Sequence, residues 1–236
     1  MKVNKPFFSI IYPTKDRHFL VEYCVKASLL QTFTNFELII CDNSITSETE
    51  NIVKKHKEDK RVLYFKTKTP LSMGDNWEFA ISKANGNYIT VLTDKTILFK
   101  DTLEKSFNYL THNPVDVLNW RNDGYLLVNE NPLAKTGYDK GFYIENFQSS
   151  LPIKINQSDE LKRNFEMEIR RGTEKEKYFW GKICFGLYSK NLINKILRNE
   201  NSMFYGISPD YSSMIKALIY ANSIVDLGES GQVSIQ

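Results

Sequence analysis

The chain has 236 residues, of which 42% are hydrophobic and 25% are charged. These fractions are close to those of ordinary globular domains, so a disordered chain, a collagen-like repeat and a disulfide-dense miniprotein are poor fits. Lysine and arginine total 31 against 28 for aspartate and glutamate, and a net charge of +3 is too small to indicate a nucleic-acid partner.

The first half of the chain alternates short apolar runs with stretches of helical spacing. The predicted strands cover residues 7–12, 38–41, 62–65 and 88–92. The predicted helices cover residues 19–30, 47–57, 76–84 and 101–110. Alternation of this kind is typical of an α/β fold with a mostly parallel central sheet and flanking helices.

The second half is less regular. Residues 115–150 are strand-like, with predicted turns at 122–124 and 135–137. Helices are predicted over 158–171, from about Leu192 after a strand at 185–188, and from Pro209 onward. We expect one α/β domain over 1–236. Because residues 228–232 are polar and end abruptly, we also expect that the chain is a piece of a longer protein.

The apolar run at the amino terminus has six residues, 7–12, before Pro13 interrupts it. A signal peptide needs about 7–15 apolar residues and a membrane span about 20, so we expect a cytoplasmic protein. The aromatic content of 13% leaves room for peripheral contact with the inner face of the membrane. The three cysteines lack metal-ligand spacing and are expected to be reduced and buried.

Polar residues follow three of the predicted strands. They are Pro13-Thr14-Lys15-Asp16-Arg17, Asp42-Asn43-Ser44 and Thr93-Asp94-Lys95. Ligands of open parallel sheets bind outside the carboxyl ends of strands, and such residues suit a nucleotide with a diphosphate. The alternative is that these side chains are only turn residues and helix caps.

At these residues the chain resembles the family-2 glycosyltransferases, which have a nucleotide-binding fold called GT-A. Residues 9–17 are similar to that family's first strand followed by Pro-Thr-Tyr-Asn-Arg, and residues 36–44 to its second strand ending in an acid. Residues 73–77 and 84–89 resemble the helix and the Ala-x-Gly-x-Tyr-Ile entry to the strand that carries the acidic metal motif. The resemblance extends over residues 7–110.

The resemblance implies roles for the matching positions. Pro13 and Thr14 would line the nucleotide pocket, Asp42 would accept a hydrogen bond from the base, and Asp94 would lie beside the ribose and diphosphate. The implied donor-binding residues, with the neighbouring basic side chains, are Pro13, Thr14, Lys15, Arg17, Asp42, Asn76, Asp94 and Lys95. Residues 206–211 resemble the acceptor-side segment, which makes Asp210 a candidate general base; the alternative is a plain helix cap.

Two departures from the family pattern matter. Lys15 stands where a tyrosine commonly stacks on the base. Thr93-Asp94-Lys95 replaces the usual run of two or three acids, and a single carboxylate binds Mn²⁺ or Mg²⁺ weakly. Either Asp94 holds the metal, or Lys95 or Arg17 supplies the positive charge instead. The second option requires the chain to turn at Asp94, because neighbouring strand residues point to opposite faces.

The expected function is transfer of a sugar from a nucleotide-diphosphate donor to a hydroxyl of a glycan or lipid-linked acceptor, with inversion and with Asp210 as base. Residues 1–110 would bind the donor and 111–236 the acceptor. The aromatic residues that either form an acceptor platform or pack in the core are Tyr178, Phe179, Trp180, Phe204, Tyr205 and Tyr211. The alternatives are a nucleotidyltransferase and a non-catalytic module that binds a glycan or a partner.

Overall fold

A computed structural model of the chain describes residues 5–126, 141–143, 151–165, 180–206 and 208–235. The strands are β1 (Phe8–Thr14), β2 (Phe36–Asp42), β3 (Val62–Lys66), β4 (Tyr88–Val91), β5 (Thr96–Leu98), β6 (Val117–Leu126), β7 (Gly141–Tyr143), β8 (Ile153–Lys154), β9 (Gly186–Ser189) and β10 (Ile224–Ile235). The helices are α1 (His18–Leu29), α2 (Glu48–Lys54), α3 (Met73–Ile81), α4 (Thr102–His112), α5 (Gln157–Phe165), α6 (Lys190–Glu200) and α7 (Pro209–Tyr220). In this part of the chain, no helix has both the length and the apolar character needed to cross a membrane.

The strands form one sheet in the order β3-β2-β1-β4-β9-β6-β10-β5, with β7 beside β6 and β8 beside β10. β1 is parallel to β2 and β4, and β2 is parallel to β3. β9 is antiparallel to both of its neighbours, and β10 is parallel to β6 but antiparallel to β5. The predicted α/β class is therefore confirmed, with a parallel first half and a mixed second half.

Helices cover both faces of the sheet, which explains why β1 and β2 are buried along their whole length. On one face, Ile11 packs in a core with side chains of α3, α6 and α7. On the other face, Ile10 and Tyr12 pack with side chains of α1, α2 and α4. Successive residues of β1 thus enter different cores, as the period of two in a strand requires.

Several predicted boundaries were wrong. Residues 122–124, predicted as a turn, lie inside β6, where their side chains bond to β10: Ser230 donates to Asp123, and Gln232 donates to Asn122. The strands β5 and β10 were not predicted at all. The predicted turn at 135–137 lies outside the described residues, as does the end of the predicted helix 158–171.

Candidate active site

The ends of β1 and β2 and the residues that follow β4 meet at one edge of the sheet. Thr14 and Asp42 are opposite each other in the parallel register of β1 and β2. The Thr14 hydroxyl donates to Asp94 Oδ2 at 3.0 Å. Asp42 and Asp94 therefore lie on either side of Thr14 at the same edge, as expected of parallel strands.

Asp94 is held by two side chains, one from the last residue of β1 and one from the segment that follows β1. Arg17 Nη1 donates to Asp94 Oδ1 at 2.9 Å, and Thr14 occupies the other carboxylate oxygen. The Asp94 side chain is 6% exposed, whereas that of Arg17 is 48% exposed. Because charge-assisted hydrogen bonds to a buried carboxylate are strong, this contact fixes Asp94 while the guanidinium remains accessible from solvent.

A cavity of about 490 Å³ lies directly over this pair. Its lining residues come from the ends of β1 and β2, the first turns of α3 and the loop after β4: Pro13, Thr14, Lys15, Arg17, Asn43, Leu71, Ser72, Met73, Asn76, Trp77, Thr93 and Asp94. We call this space the first cavity. Its volume is within the range of small-molecule and cofactor sites.

Asn76 contributes an unusual group to the wall of the first cavity. The residue is 5% exposed, and its Oδ1 has no hydrogen-bond partner among the described residues. Buried polar atoms are nearly always paired, so this acceptor is available to an ordered water molecule or to a ligand group at the wall of the first cavity. A ligand group that pairs with it must carry an O–H or N–H, because phosphate oxygens only accept at neutral pH.

Asp42 lies behind the wall of the first cavity. It is fully buried, and its two carboxylate oxygens accept hydrogen bonds from Ser44 N at 2.9 Å and from the Tyr64 hydroxyl at 2.8 Å. Its neighbour Asn43 lines the cavity and bonds through its side chain to the backbone of Leu71. Both side chains thus shape the loop beside the cavity.

A turn follows β4 and separates Asp94 from Lys95. Thr96 N donates to Thr93 O at 2.9 Å, and the chain changes direction between them. Asp94 consequently lines the first cavity, and Lys95 lines a second one of about 510 Å³. The second cavity is lined by Met73, Trp77, Thr93, Lys95, Thr96, Cys184, Phe185, Pro209, Asp210 and Ser234. The chain thus turns at Asp94, but the two side chains line adjoining cavities and not one shared site.

The two cavities adjoin, because Met73, Trp77 and Thr93 line both of them. Trp77 and Phe185 are the aromatic side chains in the second cavity. Of the predicted platform, Phe204 packs edge-on against Trp77 in the core, and Tyr178 and Phe179 lie outside the described residues. Trp77 and Phe185 were missed because nothing distinguishes them from core aromatics in the sequence.

Asp210 lies in the first turn of α7 and lines the second cavity. Lys182 Nζ donates to Asp210 Oδ2 at 2.8 Å, and the Asp210 side chain remains 29% exposed. The Lys182 ammonium also lies 3.6 Å from the centroid of the Tyr211 ring. Lys182 was missed by sequence reasoning, since no motif accompanies it. Nearby, burial raises the pKa of the Cys184 thiol to about 12, so this cysteine is a neutral wall residue.

The residues at the sheet edge provide few ligands for a metal. Asp94 is the carboxylate of the first cavity, and the described residues contain no group of three or more His, Cys, Asp or Glu side chains arranged around a common point. Mg²⁺ commonly binds one or two carboxylates together with substrate phosphates. A divalent cation at this site would be held by Asp94 together with oxygens of a substrate diphosphate, next to Arg17.

Comparison with protein families gives a match between residues 9–185 and the model described as Glycosyl transferase family 2. Among curated proteins, an uncharacterized glycosyltransferase of Haemophilus influenzae is 31% identical over 112 residues, which are 47% of this chain and 45% of that protein. The GalNAc(5)-diNAcBac-PP-undecaprenol beta-1,3-glucosyltransferase of Campylobacter jejuni is 24% identical over 210 residues, or 85% of this chain and 57% of that protein. The chain thus spans about half the length of these relatives.

Solved structures share the fold. TarS of S. aureus, residues 1–349 in complex with UDP-GlcNAc, superposes with a TM-score of 0.71 at 17% identity and covers 97% of this chain and 58% of that one. The mannosyltransferase PcManGT of Pyrobaculum calidifontis, in complex with GDP-Man and Mn²⁺, has a TM-score of 0.58 at 13% identity and covers 99% of this chain and 57% of that one. These similarities confirm the GT-A fold that the sequence resemblance implies.

Proposed function

Because the chain belongs to glycosyl transferase family 2, we propose that it transfers a sugar from a nucleoside-diphosphate donor to a hydroxyl group of a glycan or lipid-linked acceptor. The donor would occupy the first cavity, formed mainly by residues 1–110. The acceptor would enter the second, to which residues 111–236 contribute Asp210. Transfer would invert the anomeric centre.

The observation that carries this proposal is the pair of adjoining cavities with different chemistry. The first cavity presents Arg17, Thr14 and Asp94, which suit a diphosphate and a ribose. The second presents a carboxylate, Asp210, on the far side of the shared residues. A donor and an acceptor bound in these two spaces would meet at the shared wall, where alignment alone accelerates a bimolecular reaction strongly.

In the proposed reaction, the acceptor oxygen forms a bond to the anomeric carbon as the bond from that carbon to the diphosphate oxygen breaks. Asp210 takes the proton of the acceptor hydroxyl, a role that contributes about 10²–10⁴-fold when a base is correctly placed. The electron pair of the broken bond remains on the departing nucleoside diphosphate. In this proposal, Arg17 in the first cavity and Lys95 in the adjoining second cavity would stabilise that charge.

The positive charge that stabilises the departing diphosphate has two proposed sources. A divalent cation bound by Asp94 and the diphosphate would neutralise the leaving group as it departs. The other option assigns this role to Lys95 and Arg17, and it is supported by the ion pair that already occupies Asp94. For Asp42 we retain the proposed hydrogen bond to the base, which requires the Tyr64 hydroxyl to rotate away.

The relatives support a donor and an acceptor class. The Campylobacter jejuni relative is named for transfer to a polyprenyl-diphosphate-linked glycan, and TarS was solved with UDP-GlcNAc. We therefore propose a nucleotide sugar as donor and a glycan on a lipid carrier as acceptor. Such an acceptor would bring the protein to the inner face of the membrane from the cytoplasm.

The decisive experiment screens UDP-, GDP-, CMP- and dTDP-sugars for thermal stabilisation, and then for transfer to octyl glycosides, with Mn²⁺, Mg²⁺ or a chelator. Asp210→Asn should abolish transfer and leave donor affinity nearly unchanged. If the wild-type protein keeps full turnover in the chelator and Lys95→Met loses it, the result would support Lys95 as the source of the positive charge. Strict metal dependence would exclude that role. Formation of a nucleoside triphosphate from the nucleotide sugar and added pyrophosphate would indicate a nucleotidyltransferase, and binding without turnover a non-catalytic module.

A further inference from the structure

The segment that leads to Asp210 is attached to the helix that lines both cavities. Residues 201–206 follow α6 and precede Ser208, the residue before α7. We call these six residues the 201–206 loop. α3, which provides Met73, Asn76 and Trp77 to the cavity walls, packs directly against this loop. The position of Asp210 relative to the donor therefore depends on how the 201–206 loop is held.

Glu78 on α3 makes the polar contacts that hold the loop. Its carboxylate accepts hydrogen bonds from the backbone N–H groups of Met203, at 2.9 Å, and Phe204, at 3.2 Å. It also accepts one from the Ser202 hydroxyl at 3.2 Å. An ionised carboxylate that collects two backbone N–H groups of a loop is a strong, charge-assisted anchor.

Packing next to Glu78 also holds α3 and the 201–206 loop together. The rings of Trp77 and Phe204 meet edge to face with centroids 5.4 Å apart. A Cβ added to Gly74 would lie 3.4 Å from the backbone oxygen of Gly206, so the helix and the loop approach each other closely. From the α7 side, Lys216 Nζ donates to Ser202 O at 2.6 Å. The loop is therefore held between α3 and α7.

We propose that Glu78 is a positioning residue for Asp210: by holding the 201–206 loop against α3, it places the base of the second cavity relative to the donor in the first. Glu78 is not among the residues that line the two cavities, so its proposed role does not require contact with either substrate. The inference rests on the proposed function, because it assigns Asp210 the role of base. It follows that loss of Glu78 should impair transfer to an acceptor more than donor binding.

The test compares Glu78→Ala and Glu78→Gln with a matched control, Glu37→Gln. Glu37 is a buried carboxylate that also anchors a neighbouring segment, since it accepts hydrogen bonds from Ser9 Oγ at 2.6 Å and Asn85 N at 2.5 Å. However, it lies near the start of β2, at the opposite end of the strands from the cavities. Each variant is assayed for donor affinity, for transfer to octyl glycosides, and for hydrolysis of the donor by water without acceptor.

In Glu78→Ala, we expect transfer to fall at least tenfold, with donor affinity and donor hydrolysis within threefold of wild type. Glu37→Gln should keep the wild-type ratio of transfer to hydrolysis even where it unfolds at a lower temperature. Amide hydrogen exchange gives a readout that needs no turnover: exchange at Met203 and Phe204 should accelerate at least tenfold in Glu78→Ala but not in Glu37→Gln.

Unchanged exchange at these two amides would overturn the inference, and so would transfer and hydrolysis that fall in parallel in a folded Glu78→Ala protein. If Asp210 is not the base, the transfer assays would give a different pattern. If Asp210→Asn still transfers sugar, both the proposed base and the positioning role of Glu78 are wrong. If Asp210→Asn is inactive while Glu78→Ala transfers normally, only the role of Glu78 is wrong.

Discussion

Replacement of Asn76 by leucine should have opposite effects on stability and on donor binding. Asn76 is buried in the wall of the first cavity with its Oδ1 unpaired. Leucine has the same branching and no polar atom, so Asn76→Leu removes the desolvation penalty of the orphaned acceptor. It also removes the acceptor with which a donor hydroxyl or N–H group would pair.

The expected changes in stability and in donor affinity both follow from the loss of Asn76 Oδ1. An unsatisfied buried polar group costs about 1–3 kcal/mol. For a chain of this length, each 1 kcal/mol moves the unfolding midpoint by about 2–4 °C, so we expect Asn76→Leu to unfold at least about 2 °C higher without ligand. The lost hydrogen bond to the donor should weaken binding by about 1.4 kcal/mol, which is tenfold in the dissociation constant.

Thermal unfolding of the ligand-free protein and titration with the nucleotide sugar measure the two effects separately. Asn119→Leu is the matched control, because Asn119 is equally buried but paired: it accepts from Gly181 N at 2.9 Å and donates to Phe185 O at 3.0 Å. That variant should unfold at a lower temperature. An Asn76→Leu protein that is less stable than wild type and binds the donor normally would refute the reasoning.

Three further predictions concern other parts of the molecule. Arg17→Met should lower the initial rate of transfer at saturating donor by about 10²–10³-fold, as expected for a lost charge at the leaving group, and an unchanged rate would exclude Arg17 from that role. Gly86→Ala should destabilise the fold by more than about 3 kcal/mol in denaturant titrations, because the added Cβ would lie 2.6 Å from Ser9 N. Burial raises the pKa of each of the three thiols to about 12, from an ordinary value of 9.0. The unfolded chain therefore ionises first, and stability should fall above pH 9 by up to about 1.4 kcal/mol per thiol and pH unit, which denaturant titrations at pH 8 to 10 would detect.

The first half of the fold could be predicted because its strands are buried on both faces. Continuous apolar runs such as residues 7–12 and 88–92 indicate buried strands. Because these strands are parallel, the polar residues that follow them lie at one edge of the sheet. β10 could not be predicted in this way. Its inward positions include Asp226 and Gln232, which are fully buried and pair with Arg121 and Trp120 on β6. A strand that satisfies buried polar groups across the sheet has no apolar pattern.

The sequence predicts two acidic residues that line the cavities, Asp94 and Asp210, but not the contacts that hold them. Strand ends and family resemblance identify Asp94 and Asp210 from local sequence. The ion pairs that hold them, with Arg17 and Lys182, join residues that are 77 and 28 positions apart, and such pairing depends on the folded geometry. The unpaired oxygen of Asn76 is likewise a property of its surroundings. No local signal in the sequence marks it.

The position of β10 has a consequence for biosynthesis. The strand lies between β6 and β5, and its Ser234 is hydrogen-bonded to Thr96, 138 residues earlier in the chain. Until residues 224–235 have been synthesised, β5 and β6 have no strand between them and expose unpaired backbone groups. Pairings over such distances form slowly, and nascent sheets with open edges are prone to aggregate. Completion of the sheet in the emerging polypeptide therefore waits for the synthesis of β10, and chaperones that shield strand edges during synthesis should increase the yield of folded protein.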